Sequence, residues 1–229
     1  MWFARLLKAK RGKIFYSLKK TIIPLLGPDK FCVNRLVLEI GCLTGCSTLH
    51  FAEALKDIPG SEVMTSFPTS FLLFLLSLTN IQNSQITSLD LPGKHSDFAN
   101  ACFQKYAPQP DPKITLIEGR AIDSLQKLVG RQFDFILFDA DKQNFPAYLD
   151  TIMDKDLLAP GGMMVVDNVI RYGLVHPIGP DGQKQLYGEE VTFKTDLPDK
   201  LNNKIAGDPR LENIILPVFD GLSIVRRKC

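Results

Sequence analysis

The sequence predicts a single α/β domain built on a mostly parallel sheet. From Arg35 onward, short apolar strand patterns alternate with helical ones, as in a parallel sheet covered on both faces. The 229-residue chain is long enough for one large core and too short for two. Its 45% hydrophobic and 23% charged content describes a soluble globular protein.

The elements follow in order. Arg35–Gly41 (RLVLEIG) is a buried strand ending on glycine, and Thr48–Lys56 is a helix with Leu49, Ala52 and Leu55 on one face. Ile86–Leu91 is a second strand carrying Asp90 near its end, followed by a helix over Asp97–Tyr106. Lys113–Glu118 is the third strand, with a helix over roughly Ala121–Val129. Phe133–Asp139 is the fourth, with a helix over Phe145–Leu158. Pro160-Gly161-Gly162 reads as a turn before a fifth strand, Met163–Asp167. Asn213–Val218 and Leu222–Arg227 read as a hairpin about a tight Asp220-Gly221 turn, which would make the last strand antiparallel.

Charge is unevenly spread. The net charge is +2, yet residues 1–28 hold seven basic side chains and no acidic one. The rest of the chain holds 20 basic against 25 acidic residues, which gives no footprint for nucleic acid. Met1–Asn34 is therefore set apart as a basic N-terminal segment. It reads as a solvated helix, because no apolar signal core or small-residue cleavage site follows it. Five cysteines, an odd number, do not form a disulfide framework, so reduced thiols and a cytoplasmic setting are expected.

One segment interrupts the pattern. No charged residue lies between Glu62 and Asp90, and Phe71–Leu78 is almost wholly apolar. Pro68 and the scattered Ser, Thr and Asn keep the apolar run below the ~18 residues of a membrane span. A span would also split the first strand–helix–strand unit, so none is expected. Val63–Gln85 reads instead as an insert foreign to the fold. Its ends, a Val codon beginning GT and a Gln codon CAG, match the limits of a retained intron; a membrane-touching loop is the alternative.

The stretch Glu39-Ile-Gly41-Cys-Leu-Thr-Gly45-Cys-Ser47 lies at a strand-to-helix junction, where glycines permit close backbone approach and a helix N-terminus attracts anions. Its G-x-x-x-G form differs from the G-x-G-x-x-G of pyrophosphate binders. Asp90, 45 residues past Gly45, falls near the spacing of about 20 for a ribose-binding acid once the insert is discounted.

Six motifs in order resemble the caffeoyl-CoA and catechol O-methyltransferases. They are LEIGxxTGxS, LD, EGxA (Glu118–Ala121), FDADKxNF (Phe138–Phe145), GGxxxxDN (Gly161–Asn168) and LPVxDGLSIxRR (Leu216–Arg227). The resemblance spans about Arg35 to Lys228 outside the insert. It implies a Rossmann-like, S-adenosylmethionine-dependent methyltransferase fold with a mostly parallel seven-stranded sheet whose last strand is antiparallel. It also implies a cation-dependent enzyme. Carried over by position, Glu39, Gly41, Cys42 and Ser47 would line the methionine end of the cofactor, Asp90 the ribose, Ala121 the adenine, and Asp141 would add a contact. Glu39 as a satisfied strand-end charge and Ala121 as plain packing are the alternatives.

Asp139 ends strand four, and Asp167 and Asn168 end strand five, at the carboxyl edge where open α/β sheets bind ligands. Two carboxylates and an amide oxygen are hard donors that suit Mg²⁺ or another divalent cation. A structural alternative has Asp139 and Asp141 capping the next helix. Lys142 matches the family's general base, and a neighbouring dication and sulfonium would lower its pKa.

The implied acceptor is a catechol-like or hydroxycinnamoyl-like phenol. Three departures bear on it: the family's N-terminal helical pattern is weak in Met1–Asn34, Cys46 replaces an aromatic, and Tyr172 replaces a substrate-binding Asn. Tyr172 and the loop Gly173–Gly188 either shape the acceptor pocket or form a plain surface loop. Two other functions are weighed. One is a non-catalytic methyltransferase-fold protein, with a second copy of the chain as a candidate partner. The other is a nicotinamide oxidoreductase, disfavoured because its Tyr-x-x-x-Lys, Tyr16 to Lys20, precedes the fold.

Overall fold

A computed structural model describes residues 36–56, 85–107, 113–170, 196–218 and 220–229. In chain order these form β1 (Leu36–Ile40), α1 (Cys46–Lys56), β2 (Gln85–Asp90), α2 (Lys94–Tyr106), β3 (Lys113–Glu118), α3 (Ala121–Gln126) and β4 (Phe133–Phe138). A 3₁₀ turn (Lys142–Asn144), α4 (Phe145–Asp154), β5 (Leu158–Asp167), α5 (Asp196–Gly207), β6 (Leu211–Leu216) and β7 (Leu222–Arg227) follow.

The seven strands form one sheet in the order β3-β2-β1-β4-β5-β7-β6. The first five pair in parallel, and β7 lies antiparallel between β5 and β6. This is the expected mostly parallel sheet with an antiparallel last strand.

Alternation along each strand divides the core into two layers. Leu38, Ile40, Ile136, Phe138, Met164, Val166 and Val225 pack on one face with Leu149 and Ile152 of α4 and Leu201 and Ile205 of α5. Val37, Phe135, Leu137, Met163 and Val165 pack on the other with Phe51, Ala52 and Leu55 of α1. Strands buried on both faces read as continuous apolar runs, which is why LVLEI and FDFILF carry so little polar residue.

Three local expectations change. The Pro160-Gly161-Gly162 turn lies inside β5 as a bulge: Phe133 pairs with Leu158 and Phe135 with Met163, so the extra residues loop out of register. Gly161 takes φ +72 there. The hairpin is not a two-residue turn, since Leu216 pairs with Leu222 across an intervening loop. Gly221, at φ +83, packs so closely on Ile170 that a Cβ would meet its Cγ1 at 2.4 Å. The Asp-Gly pair thus docks the hairpin onto the chain leaving β5, with Ile170 N–H donating to Asp220 O at 2.8 Å. Helix α5, whose Leu201 and Ile205 are buried one turn apart, is a further element that strand and motif patterns did not reveal.

Among the described residues no helix is long and apolar enough to cross a membrane. Residues 1–35 and most of the apolar insert lie outside the described residues. The insert's last residue does not: Gln85 opens β2, pairs with Leu36 and Lys113, and accepts a hydrogen bond from Arg131 at 3.1 Å. Gln85 thus belongs to β2. We propose that residues 63–84 are foreign to the domain. Deleting them while keeping Gln85 is expected to raise solubility, because an apolar Phe/Leu run is removed, and to leave the melting temperature no lower. Thermal melts and sedimentation check this; an unfolded product would place the segment in the core.

Candidate functional site at the carboxyl edge of the sheet

The parallel strands deliver their ends to one edge. Gly41 follows β1, Asp90 ends β2, Asp139 follows β4 and Asp167 ends β5. Phe138 pairs with Val166, so Asp139 and Asp167 are the next residues along two adjacent strands.

The loop after β1 bends over this edge. Gly41 takes φ +100 and donates its N–H to Leu89 O at 2.9 Å, and Gly45 takes φ +75. Their lack of a side chain answers to protein packing. A Cβ on Gly41 would lie 2.3 Å from Asp139 O, and one on Gly45 2.5 Å from the Phe103 ring. Leu43, between them, also adopts positive φ (+52), and its N–H donates to Asp90 Oδ2. Leu91 N–H donates to Asp90 Oδ1 at 2.7 Å, so both carboxylate oxygens are held by backbone.

Glu39 is wholly buried in β1. Ser47 Oγ donates to its Oε1, while Thr48 Oγ1 and Ser88 Oγ (2.6 Å) both donate to Oε2. Burial pushes the Glu39 carboxyl up; the three hydroxyls pull the other way, and the charge of Asp139 adds to the rise. The buried Cys42 thiol, 3.6 Å from Thr48 Oγ1, is pushed up to about 11 by burial and by Glu39. It therefore stays a neutral thiol.

Asp139 accepts from Lys142 Nζ at 3.2 Å, and that ammonium lies 4.6 Å from the Phe145 ring centroid. Asp141 accepts from Asn144 Nδ2 through Oδ2 and from the Tyr148 hydroxyl at 2.5 Å through Oδ1. Burial, then Asp141, hold the Tyr148 phenol above its usual range. No side-chain cap is made at the start of the 3₁₀ turn or of α4, so the helix-capping alternative for these acids fails. Asp167 is almost fully buried and accepts from Asn168 N at 2.7 Å. Asn168 takes φ +64, a region Asn tolerates better than most residues, and its Nδ2 donates to Asp220 Oδ2 at 3.3 Å. Among the described residues no three of His, Cys, Asp and Glu gather as a metal-holding group. The set expected from the sequence is two carboxylates with an amide; the Asn168 amide follows Asp167 in the chain and donates to Asp220.

The edge thus unites Glu39, Gly41, Cys42, Ser47, Asp90, Asp139, Asp141, Lys142, Asp167 and Asn168. Ala121 opens α3 and packs half-buried against the core. Tyr172 and Gly173–Gly188 lie outside the described residues. Sequence reasoning missed Thr48, Ser88 and Tyr148, each silent until folding places it against an acid.

Fold and edge together make this chain an α/β protein of the methyltransferase fold. It superposes on the SAH-bound methyltransferase PaMTH1 of Podospora anserina with a TM-score of 0.63 at 28% identity, covering 85% of this chain and 72% of that one. An O-methyltransferase from Bacillus cereus in complex with SAH gives 0.66 at 24% identity, covering 96% and 81%, a likeness of fold. More narrowly, the chain belongs to the O-methyltransferase family, whose model matches residues 62–228. That stretch holds Asp90, Ala121 and the acids after β4 and β5; Glu39 to Ser47 precede it. Similar curated proteins include O-methyltransferase ankF of Aspergillus thermomutatus, 28% identical over 197 residues, covering 85% of this chain and 71% of the relative. Caffeoyl-CoA O-methyltransferase 1 of Eucalyptus globulus is 34% identical over 195 residues, covering 83% and 65%.

The packing of Gly45 yields a test. Gly45→Ala is expected to destabilise the domain by about 1–3 kcal/mol, from overpacking and positive φ. Because the obstructing group is the Phe103 ring, adding Phe103→Leu should recover part of that loss in denaturant melts. Recovery of nothing would put the constraint elsewhere.

Proposed function

We propose that this chain is an S-adenosylmethionine-dependent, divalent-metal-assisted O-methyltransferase acting on a catechol-like or hydroxycinnamoyl-like acceptor. The observation that carries it is the placing of Asp139, Asp167 and Asn168 on neighbouring strand ends beside the Gly41–Gly45 loop. The two structural neighbours described as SAH-bound, and a caffeoyl-CoA relative, support the cofactor and acceptor classes.

Glu39, Ser47 and the loop from Gly41 to Cys42 would face the methionine end of the cofactor, Asp90 the ribose, and Ala121 the adenine, with Asp141 adding a contact. The donor chemistry after β4 and β5 fits a hard divalent cation. Both carboxylates are oxygen donors, and the hydrogen bond from Asn168 Nδ2 to Asp220 leaves the amide's Oδ1 as its acceptor end. Such a cation, when bound, would acidify an acceptor hydroxyl and orient two adjacent ring oxygens. Lys142, held at the edge by Asp139 and the Phe145 ring, would be the group that takes the hydroxyl proton. The four described cysteines are all free thiols, which supports a reducing, cytoplasmic setting.

Two substitutions separate cofactor from metal. Asp90→Ala should weaken S-adenosylhomocysteine binding roughly tenfold or more in calorimetry, since hydrogen bonds to a charged group contribute about 1.5–3 kcal/mol each. Asp167→Ala should abolish metal-stimulated turnover with catechols while leaving cofactor affinity nearly unchanged. Turnover that persists in excess EDTA would make the acid set structural, and an absence of turnover despite cofactor binding would favour a non-catalytic methyltransferase-fold protein.

Lys142→Ala should lower turnover most at neutral pH and progressively less at high pH, where solvent removes the acceptor proton. A loss independent of pH would assign Lys142 a positioning role.

A further inference from the structure

Glu39 is a carboxylate with no solvent exposure, and among the described residues no cation pairs with it. Its two oxygens are held differently. Among the described residues Oε1 accepts from Ser47 alone, which is half-exposed at the start of α1. Oε2 accepts from Thr48 on α1 and Ser88 on β2, both fully buried and themselves 3.5 Å apart. Among the described residues, the ionisable groups beside Glu39 bring no positive charge: Cys42 stays a neutral thiol and Asp139 is another acid. Burial raises the Glu39 carboxyl, so its ionised form is costly there unless hydrogen-bonded, and a positive ligand group would favour that form.

Building on the cofactor site proposed above, we infer that Thr48 and Ser88 are positioning residues. Together they clamp Glu39 Oε2 from behind so that Oε1 is presented to the α-ammonium of the cofactor's methionine moiety. Ser47 closes Oε1 off from solvent, so the ammonium reaches it by replacing the Ser47 hydroxyl. Thr48 and Ser88 come from different elements, and their shared acceptor ties the helix after the glycine loop to the strand that carries Asp90. Two donors on one oxygen also fix the rotation of the carboxylate, which a single donor leaves free.

The test compares two ligands by calorimetry. S-adenosylhomocysteine carries the α-ammonium; 5′-methylthioadenosine shares the adenosine and thioether but lacks the amino-acid end. Thr48→Val and Ser88→Ala are each expected to weaken S-adenosylhomocysteine roughly tenfold, as loss of a buried hydrogen bond to a charge does, and to leave 5′-methylthioadenosine within about twofold. Thr48→Ser, which keeps the hydroxyl, should bind both ligands like the unaltered chain. Equal weakening of both ligands would mean a structural role only and would overturn the inference, as would unchanged binding in both variants. Should Thr48→Val fail to fold, Ser88→Ala reads the same oxygen and decides alone. An unaltered chain that binds neither ligand would overturn the cofactor assignment itself, whereas binding of both with no selective loss overturns only the clamp.

Discussion

The ends of β1 and β4 come together more closely than any side chain would permit. Asp139 N–H donates to Ile40 O at 3.0 Å, and the α-carbon of Gly41 faces the Asp139 carbonyl with room for a hydrogen alone. Because of that contact the chain leaves β1 in a left-handed conformation and turns across the edge of the sheet. It then lays Leu43 N–H on Asp90 and starts α1 at Cys46, over Glu39. The same contact sets the direction in which Asp139, Asp141 and Lys142 leave β4. A glycine and a neighbouring strand end thus couple the loop assigned to the cofactor with the acids assigned to the metal.

The edge built this way is strongly acidic within an apolar framework. Glu39, Asp90, Asp139, Asp141 and Asp167 gather there, with Lys142 as an ion-pair partner for Asp139. Neutral donors also contact these acids. Glu39 takes three hydroxyls, Asp90 two backbone N–H groups, Asp141 a phenol and an amide, and Asp167 the next N–H. Such dipoles fix the geometry of the carboxyl groups. The family supplies the matching chemistry, for an O-methyltransferase moves a methyl group from a sulfonium donor.

Much of this was legible in advance for a simple reason. A strand buried on both faces must be apolar, so LVLEI, ITSLDL and FDFILFD declared themselves, and the polar residues at their ends stood out as exceptions. The acids that end β2 and β5 and the one that follows β4 were picked out on that ground, and all three lie at the carboxyl ends of their strands. Helix α5 escaped because its two core residues, Leu201 and Ile205, are diluted by polar neighbours. The Pro-Gly-Gly signal was real but was absorbed as a bulge, since β4 continues to pair on either side of it.

The sequence by itself determined the α/β plan with both faces of the sheet covered, the parallel sheet with its reversed last strand, and the family. Each of these depends on periodicity and on short motifs carried by neighbouring residues. Only the tertiary structure decided why Gly41 and Gly45 are glycines, which residues hold Glu39 and Asp141, and where the Asp220-Gly221 turn docks. Those answers depend on partners far apart in the chain: Asp139 for Gly41, Phe103 for Gly45, Ser88 for Glu39 and Ile170 for Gly221. Close packing and hydrogen bonding act across space, and no local pattern records which distant atom will fill the gap.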